Sequence, residues 1–176
     1  MTDSTFTQFG EMSWDDLIEM ADLTLSSGTI TGTGPEVVNG VCSTSVLTNW
    51  GDPLNPTAPC GGYFPVIHVN GYARLQSGGV GQGVLLVDGH LALRGGFVFH
   101  GVIIVQGTFE TQGNGNRVFS GVLAGNASLN AQTLTGGSVI RHSTCAITRV
   151  IVDSNSLNRP RPFEIRSWVD LSTTGN

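Results

Sequence analysis

From residue 66 onward the apolar positions recur with two nested periods. The short period is two. In Tyr72-Ala73-Arg74-Leu75 and His90-Leu91-Ala92-Leu93 the side chains alternate as they do along a half-buried strand. Thr108-Phe109-Glu110-Thr111 repeats the pattern, with Tyr72, His90 and Thr108 turned outward together with Arg74, Ala92 and Glu110. The long period is 18. Gly71, Gly89, Gly107 and Gly125 share one register, and Val69, Val87, Val105 and Leu123 form a column two residues earlier. Ile67, Leu85, Ile103 and Gly121 form another. After the glycine come Ala73, Leu91, Phe109 and Ala127, then Leu75, Leu93, Thr111 and Leu129. Ser138-Val139-Ile140-Arg141-His142 reads as a fifth, irregular unit.

One such unit cannot bury its own apolar face, but stacked units share a continuous core. A period of 18 is too short for helical-pair repeats or propeller blades and fits one coil of a β-solenoid. The predicted fold is all-β: a single-stranded β-helix with coils of about 18 residues. Strands stacked about 4.8 Å apart make five coils a rod of roughly 24 Å. The repeat does not read as three short hexads, which leans to a right-handed coil.

The strands before the glycine do not alternate. Val84-Leu85-Leu86-Val87 and Val102-Ile103-Ile104-Val105 are apolar on both faces, so both faces are expected to be covered. The outer column would be His68, Leu86, Ile104 and Val122. Its cover is sought in the preceding segment. Residues 12–25 predict an amphipathic helix, with Ser13 as N-cap and Asp16 three residues on. Trp14, Leu17, Ile18, Ala21 and Leu25 make its apolar face. Residues 26–65 are a Gly/Thr/Pro-rich connection. After the coils, Arg159-Pro160-Arg161-Pro162 predicts an extended linker, and Phe163 to Leu171 a covering strand. The chain thus divides into 1–65 (helix and connection packed on the solenoid), 66–150 (coils) and 151–176 (linker and covering strand).

Composition narrows the class. Charged residues are 12%, about half the usual share, and 25 of 176 residues are glycine. Both argue against coiled coils and bundles. Net charge is −5, and all eight basic residues are arginine. With no basic run, no nucleic-acid partner is expected. With no lysine, Schiff-base and P-loop chemistry are excluded, and no cofactor is expected. No apolar stretch is long enough to span a membrane. The polar Met1–Gly10 segment carries no signal-peptide h-region, so an export signal or anchor would have to lie outside this chain.

Three cysteines are present. Cys42 and Cys60 flank a segment containing Pro53, Pro56 and Pro59, where neither helix nor strand is expected. A disulfide would order it and implies an exported protein. Cys145 follows a valine-rich strand and reads as a buried thiol.

Several residues carry a resemblance. Trp50-Gly51-Asp52-Pro53, Cys60, Tyr63-Phe64-Pro65, Gly81-Gln82-Gly83-Val84-Leu85-Leu86-Val87-Asp88-Gly89 and Ser143-Thr144-Cys145-Ala146 resemble bacterial surface proteins described as PilX-type pilus-assembly proteins. The likeness spans roughly residues 12–171, and the Gly-Gln-Gly run is its most specific part. It implies a β-solenoid region and a protein partner in a pilus or envelope assembly. A weaker likeness is to bactofilins, self-assembling β-helical scaffolds. Neither implies catalytic residues.

Candidate chemistry is sparse. His68, His90, His100 and His142 fall in different columns and match no metal motif. Asn70, Asp88 and Gln106 precede the glycines and read as turn residues bonding the backbone. Asp88, Arg94, Glu110 and Arg117 lie on neighbouring coils, where acids and bases of a polysaccharide-cleaving β-helix would sit. Glu110 has no second carboxylate in register, and an ion pair with Arg94 is the simpler account. Gly136-Gly137-Ser138 is no nucleophile elbow, and Gly113-Asn114-Gly115-Asn116 is a turn rather than a phosphate loop. Trp50 and Phe64 are expected to pack the connection onto the rod, with Tyr63 and Tyr72 as further aromatics of a possible patch. The expectation is a non-enzymatic, exported structural module whose interaction face would hold Tyr72, Arg74, His90, Arg94 and Glu110. A self-assembling scaffold and a carbohydrate-binding or carbohydrate-cleaving β-helix are the alternatives.

Overall fold

The computed structural model describes residues 8–9, 12–113, 115–127 and 137–158. Phe163 to Leu171, the expected covering strand, lies outside the described residues, as does the Arg159–Pro162 linker. The elements are β1 (Gln8–Phe9), β2 (Met12–Ser13), α1 (Trp14–Glu19), β3 (Leu23–Thr31), β4 (Val37–Val38), β5 (Val41–Cys42), β6 (Val66–Gln76), β7 (Val80–Val87), β8 (Leu91–Arg94), β9 (Val98–Gln112), β10 (Arg117–Ala127), β11 (Val139–Arg141) and α2 (Thr144–Asp153).

The chain winds as a parallel β-solenoid. Strand β6 pairs with β7 and β8, β7 and β8 both pair with β9, and β9 pairs with β10, all in parallel. Val66 lies beside Val84 and Val84 beside Val102, which confirms the 18-residue coil. Each coil presents three faces. Face A holds Ile67, Leu85 and Ile103; face B holds Ala73, Leu91 and Phe109; face C holds Gly81, Phe99 and Val118. The inward positions do recur every six residues, through Ile67, Ala73, Gly79, Leu85, Leu91, Phe97, Ile103 and Phe109. The expected absence of hexads is thereby corrected: Gly79 and Gly81 stand at inward positions and hid the pattern.

The predicted column glycines are needed for close approach. A Cβ on Gly89 would lie 2.9 Å from the Gly71 carbonyl carbon, and one on Gly107 would lie 2.7 Å from the Gly89 oxygen. Gly125 falls out of this register. One more residue separates β9 from β10 than the 18-residue period allows, so β10 pairs with β9 at an offset of 19 (Val102 beside Gly121) until a bulge after Ala124. Val122 and Ala124 therefore pack on the core, while Leu123 is 43% exposed. Leu123 and Val122 thus exchange their predicted faces.

Two boundaries move. The expected helix over 12–25 is confined to Trp14–Glu19, with the Ser13–Asp16 capping box formed as predicted. Leu23 to Thr31 is instead strand, paired with β6. Leu23 and Leu25 fit an apolar alternation as well as a helix face, and pairing with Ile67 and Val69 decides between them. The coils begin at Leu23, inside the segment expected to be helix and connection. At the other end, Thr144–Asp153 is a second helix rather than a coil, capped by the Ser143 hydroxyl. Cys145 is correspondingly exposed, not buried.

Two apolar clusters result. The first fills the coils. The second lies outside face A, where Leu86 and Ile104 are buried beneath Trp14 and Leu17 of α1, Phe64, and Val150 of α2. The two-sided strands are thus covered on both faces, by two helices where one was foreseen. Close seating of α2 uses two glycines: Val150 lies over Gly101 and Ile147 over Gly121.

Candidate functional site

The first coil leaves the rod after Gly34 and returns at Asn49, where the two strands meet in an isolated parallel bridge. The excursion is stapled. Cys42 and Cys60 form the predicted disulfide, with Cα atoms 4.9 Å apart. Asn49, fully buried, organises the loop: its Nδ2 donates to the Ser43 carbonyl at 2.7 Å and its Oδ1 accepts from Gly51 N at 3.1 Å. Trp50 then enters the core with 0% exposure. Its ring meets Phe97 edge-on at 6.1 Å, and its Nε1 donates to the Leu47 carbonyl. The stapled excursion thus closes over Trp50 on the first coil through the Leu47 carbonyl.

The Gly81-Gln82-Gly83 run is the receptor for this loop. Gly81 leaves the space that Trp50 occupies; a Cβ there would lie 3.0 Å from the indole. The Gln82 Nε2 donates to the carbonyls of Cys60, Gly61 and Tyr63 at 3.3, 3.1 and 2.9 Å. Gly83, at φ +111°, lets Pro65 pass; a side chain would strike the Pro65 carbonyl. The Tyr63 hydroxyl donates to Thr44 O at 3.4 Å, and burial, aided by the Asp22 charge, pushes its pKa up to about 12.

The histidines do not converge. His68 is buried, and its Nε2 lies 3.0 Å from Asp88 Oδ2. An ionised carboxylate only accepts, so the proton sits on Nε2. The other Asp88 oxygen accepts from Trp14 Nε1 at 3.0 Å. Asp88 therefore locks α1 onto the rod instead of bonding its own turn as predicted. His100 stacks edge-on against Phe119 at 4.9 Å, and burial, with the Arg149 charge, lowers its pKa. His142 is exposed. Among the described residues no three metal-ligating side chains gather.

Face B is the polar face. Arg74, Ala92 and Glu110 stand in one row across three strands, and Arg94 stands beside Gln112. The Arg74 Nε donates to the Tyr72 hydroxyl at 2.7 Å, and its guanidinium lies 5.7 Å from the Tyr72 ring centre. His90 Nδ1 accepts from Thr108 N at 2.9 Å, which leaves Nε2 as an outward donor. Arg94 Nε is buried without a partner. The five predicted face residues are thus brought together on one sheet surface. The expected Arg94–Glu110 ion pair is not formed: among the described residues the arginine ion pair is Arg149–Asp153. Register explains this, since Glu110 sits beside Ala92 and Arg94 beside Gln112. Arg117 is exposed on face C, away from this group.

Reasoning from the chain alone missed Asn49 and Gln82, the two buried amides that hold the loop. The signal was available for Gln82, a polar residue between two glycines within an apolar run. Among the described residues no helix is long and apolar enough to cross a membrane. No family model, no curated protein and no solved structure matches this chain.

Proposed function

We propose that this chain is a non-enzymatic structural module of an exported assembly at the cell surface or envelope, a short stiff rod held there by a protein partner and presenting one polar face outward. The observation that carries this reading is the Cys42–Cys60 bridge, which staples a loop over the first coil. Disulfides persist in oxidising compartments, and a loop stapled over one side of the first coil suits a module hung on a larger body rather than a polymer. The resemblance to PilX-type proteins supports the same placement. The carboxylates support a non-catalytic role: both Asp88 oxygens are engaged by His68 and Trp14, and the row neighbours of Glu110 are uncharged or cationic.

A second reading, a self-assembling scaffold, is favoured by one feature. The outer strand β3, nine residues without charge or proline, pairs only with β6 among the described residues. Such an edge is a template for further pairing. Light scattering during size exclusion separates the two. The capped module runs as a single species of 18.5 kDa. Open-ended, concentration-dependent assembly would replace this reading with the scaffold.

A further inference from the structure

Faces A and C are occupied from outside, by the two helices and by the stapled loop. Among the described residues neither helix covers face B, whose chemistry is unlike that of the rest of the chain. The protein carries a net charge of −5, yet this face holds two arginines, one histidine and one carboxylate. Among the described residues neither arginine is ion-paired. Arg74 is held rigid by Tyr72, through the 2.7 Å hydrogen bond and the ring contact. Arg94 is half-buried, and its Nε–H has no acceptor. His90 adds an Nε2–H donor fixed by Thr108.

We propose that face B binds a carboxylate-bearing saccharide chain, with Arg74 and Arg94 taking its carboxylates and His90 a hydroxyl. Guanidinium forks match carboxylates in a bidentate geometry, so the charge identifies an acid. The surface identifies a sugar rather than an acidic peptide. The hot spots of peptide and protein partners sit in well-packed, desolvated pockets ringed by further contacts. Among the described residues the exposed large hydrophobics lie elsewhere, for example at Val37, Val41, Leu54, Ile151 and Val152. Face B offers hydroxyl, amide, imidazole and guanidinium groups on a sheet surface, with Ala92 buried between the Arg74 and Glu110 strands. Strands spaced about 4.8 Å apart put Arg74 and Glu110 roughly 10 Å from each other, room for a short run of sugars along the rod.

The test is an NMR titration of the isotope-labelled, oxidised protein with trigalacturonate, and with maltotriose as the uncharged control. The Arg74 and Arg94 Nε–H signals shift with the acidic trisaccharide and not with maltotriose. Arg74→Gln and Arg94→Gln each weaken binding about tenfold, the effect of one charge-assisted hydrogen bond. Glu110→Gln strengthens it by removing a like charge, which a merely structural role would not do. Thermal melts confirm that the variants fold; if Arg94→Gln does not, Arg74→Gln and Glu110→Gln decide. Absence of shifts at millimolar ligand, equal binding of maltotriose, unchanged affinity in the arginine variants, or equal competition by pentaglutamate would each overturn the proposal.

Discussion

The hydroxyl of Ser156 donates to Oδ1 of Asp22, across 134 residues of chain. The second oxygen of the same carboxylate accepts from Val66 N at 2.8 Å, and Asp22 N donates back to the Val66 carbonyl at 2.8 Å. One side chain thus ties together the end of α1, the start of the first regular coil and the turn after α2. Both helices covering face A depend on it.

Ser156→Ala is therefore expected to destabilise the fold by about 0.5–1.5 kcal/mol, the net worth of one hydrogen bond to a carboxylate that water can re-solvate. Urea unfolding followed by far-UV circular dichroism measures this. A loss confined to α2, with the sheet signal unchanged, would show instead that the turn is not part of the cooperative unit.

Trp50 and Gly81 form a large-to-small pair across adjacent coils. Gly81→Ala forces the added methyl to within 3.0 Å of the indole, and overpacking of this kind costs about 1–3 kcal/mol. Trp50→Ala empties the end of the core and costs about 3–5 kcal/mol. Smaller aromatics relieve the clash, so Trp50→Phe combined with Gly81→Ala is expected to lose less than the sum of the two single changes. A double-mutant cycle in denaturant midpoints reads the coupling.

The same pair shows what the chain disclosed and what it hid. The coils were legible because Ile67, Leu85 and Ile103 repeat in register, and backbone pairing obeys that register. Trp50 lies 31 positions before Gly81, and nothing local to either residue says that one fills the space the other leaves. Leu23 and Leu25 were ambiguous between helix and strand until their pairing with Ile67 and Val69 decided. Helix α2 carried a usable signal in Ser143, Ile147 and Val150, but extending the 18-residue period over it concealed a change to helical spacing. For the polar face, the outward positions followed from alternation. The absence of an Arg94–Glu110 pair followed only from the lateral register.

The disulfide closes a loop over an 18-residue separation. Replacing Cys42 and Cys60 with serine is expected to cost about 3 kcal/mol in the chain-entropy model. Gln82→Ala removes three hydrogen bonds to the loop carbonyls and leaves those carbonyls buried, adding a loss of about 1–3 kcal/mol. Because Gln82 grips the loop the disulfide orders, the two losses should not be additive. Thermal melts of the oxidised and reduced forms, with and without Gln82→Ala, check this. Equal shifts on reduction in both backgrounds would mean that the bridge acts on the unfolded chain alone.

His100 is the described imidazole whose burial, reinforced by the nearby Arg149 charge, holds its pKa below the usual 6.5. The sign of the stability effect follows directly. As pH falls through 6.5 the unfolded chain takes up the proton first, so unfolding becomes easier. The contribution of His100 is present above 6.5 and is lost as the solution is acidified. In the His100→Gln variant this part of the acid limb is expected to disappear: its urea midpoint falls less between pH 7.5 and 5 than that of the parent protein. Because Arg149 supplies the second cause, Arg149→Ala should move the His100 titration partway back towards 6.5, read from the imidazole carbon-bound proton signals by NMR. An unchanged His100 titration in that variant would assign the shift to burial against Phe119 and the α2 side of the sheet alone.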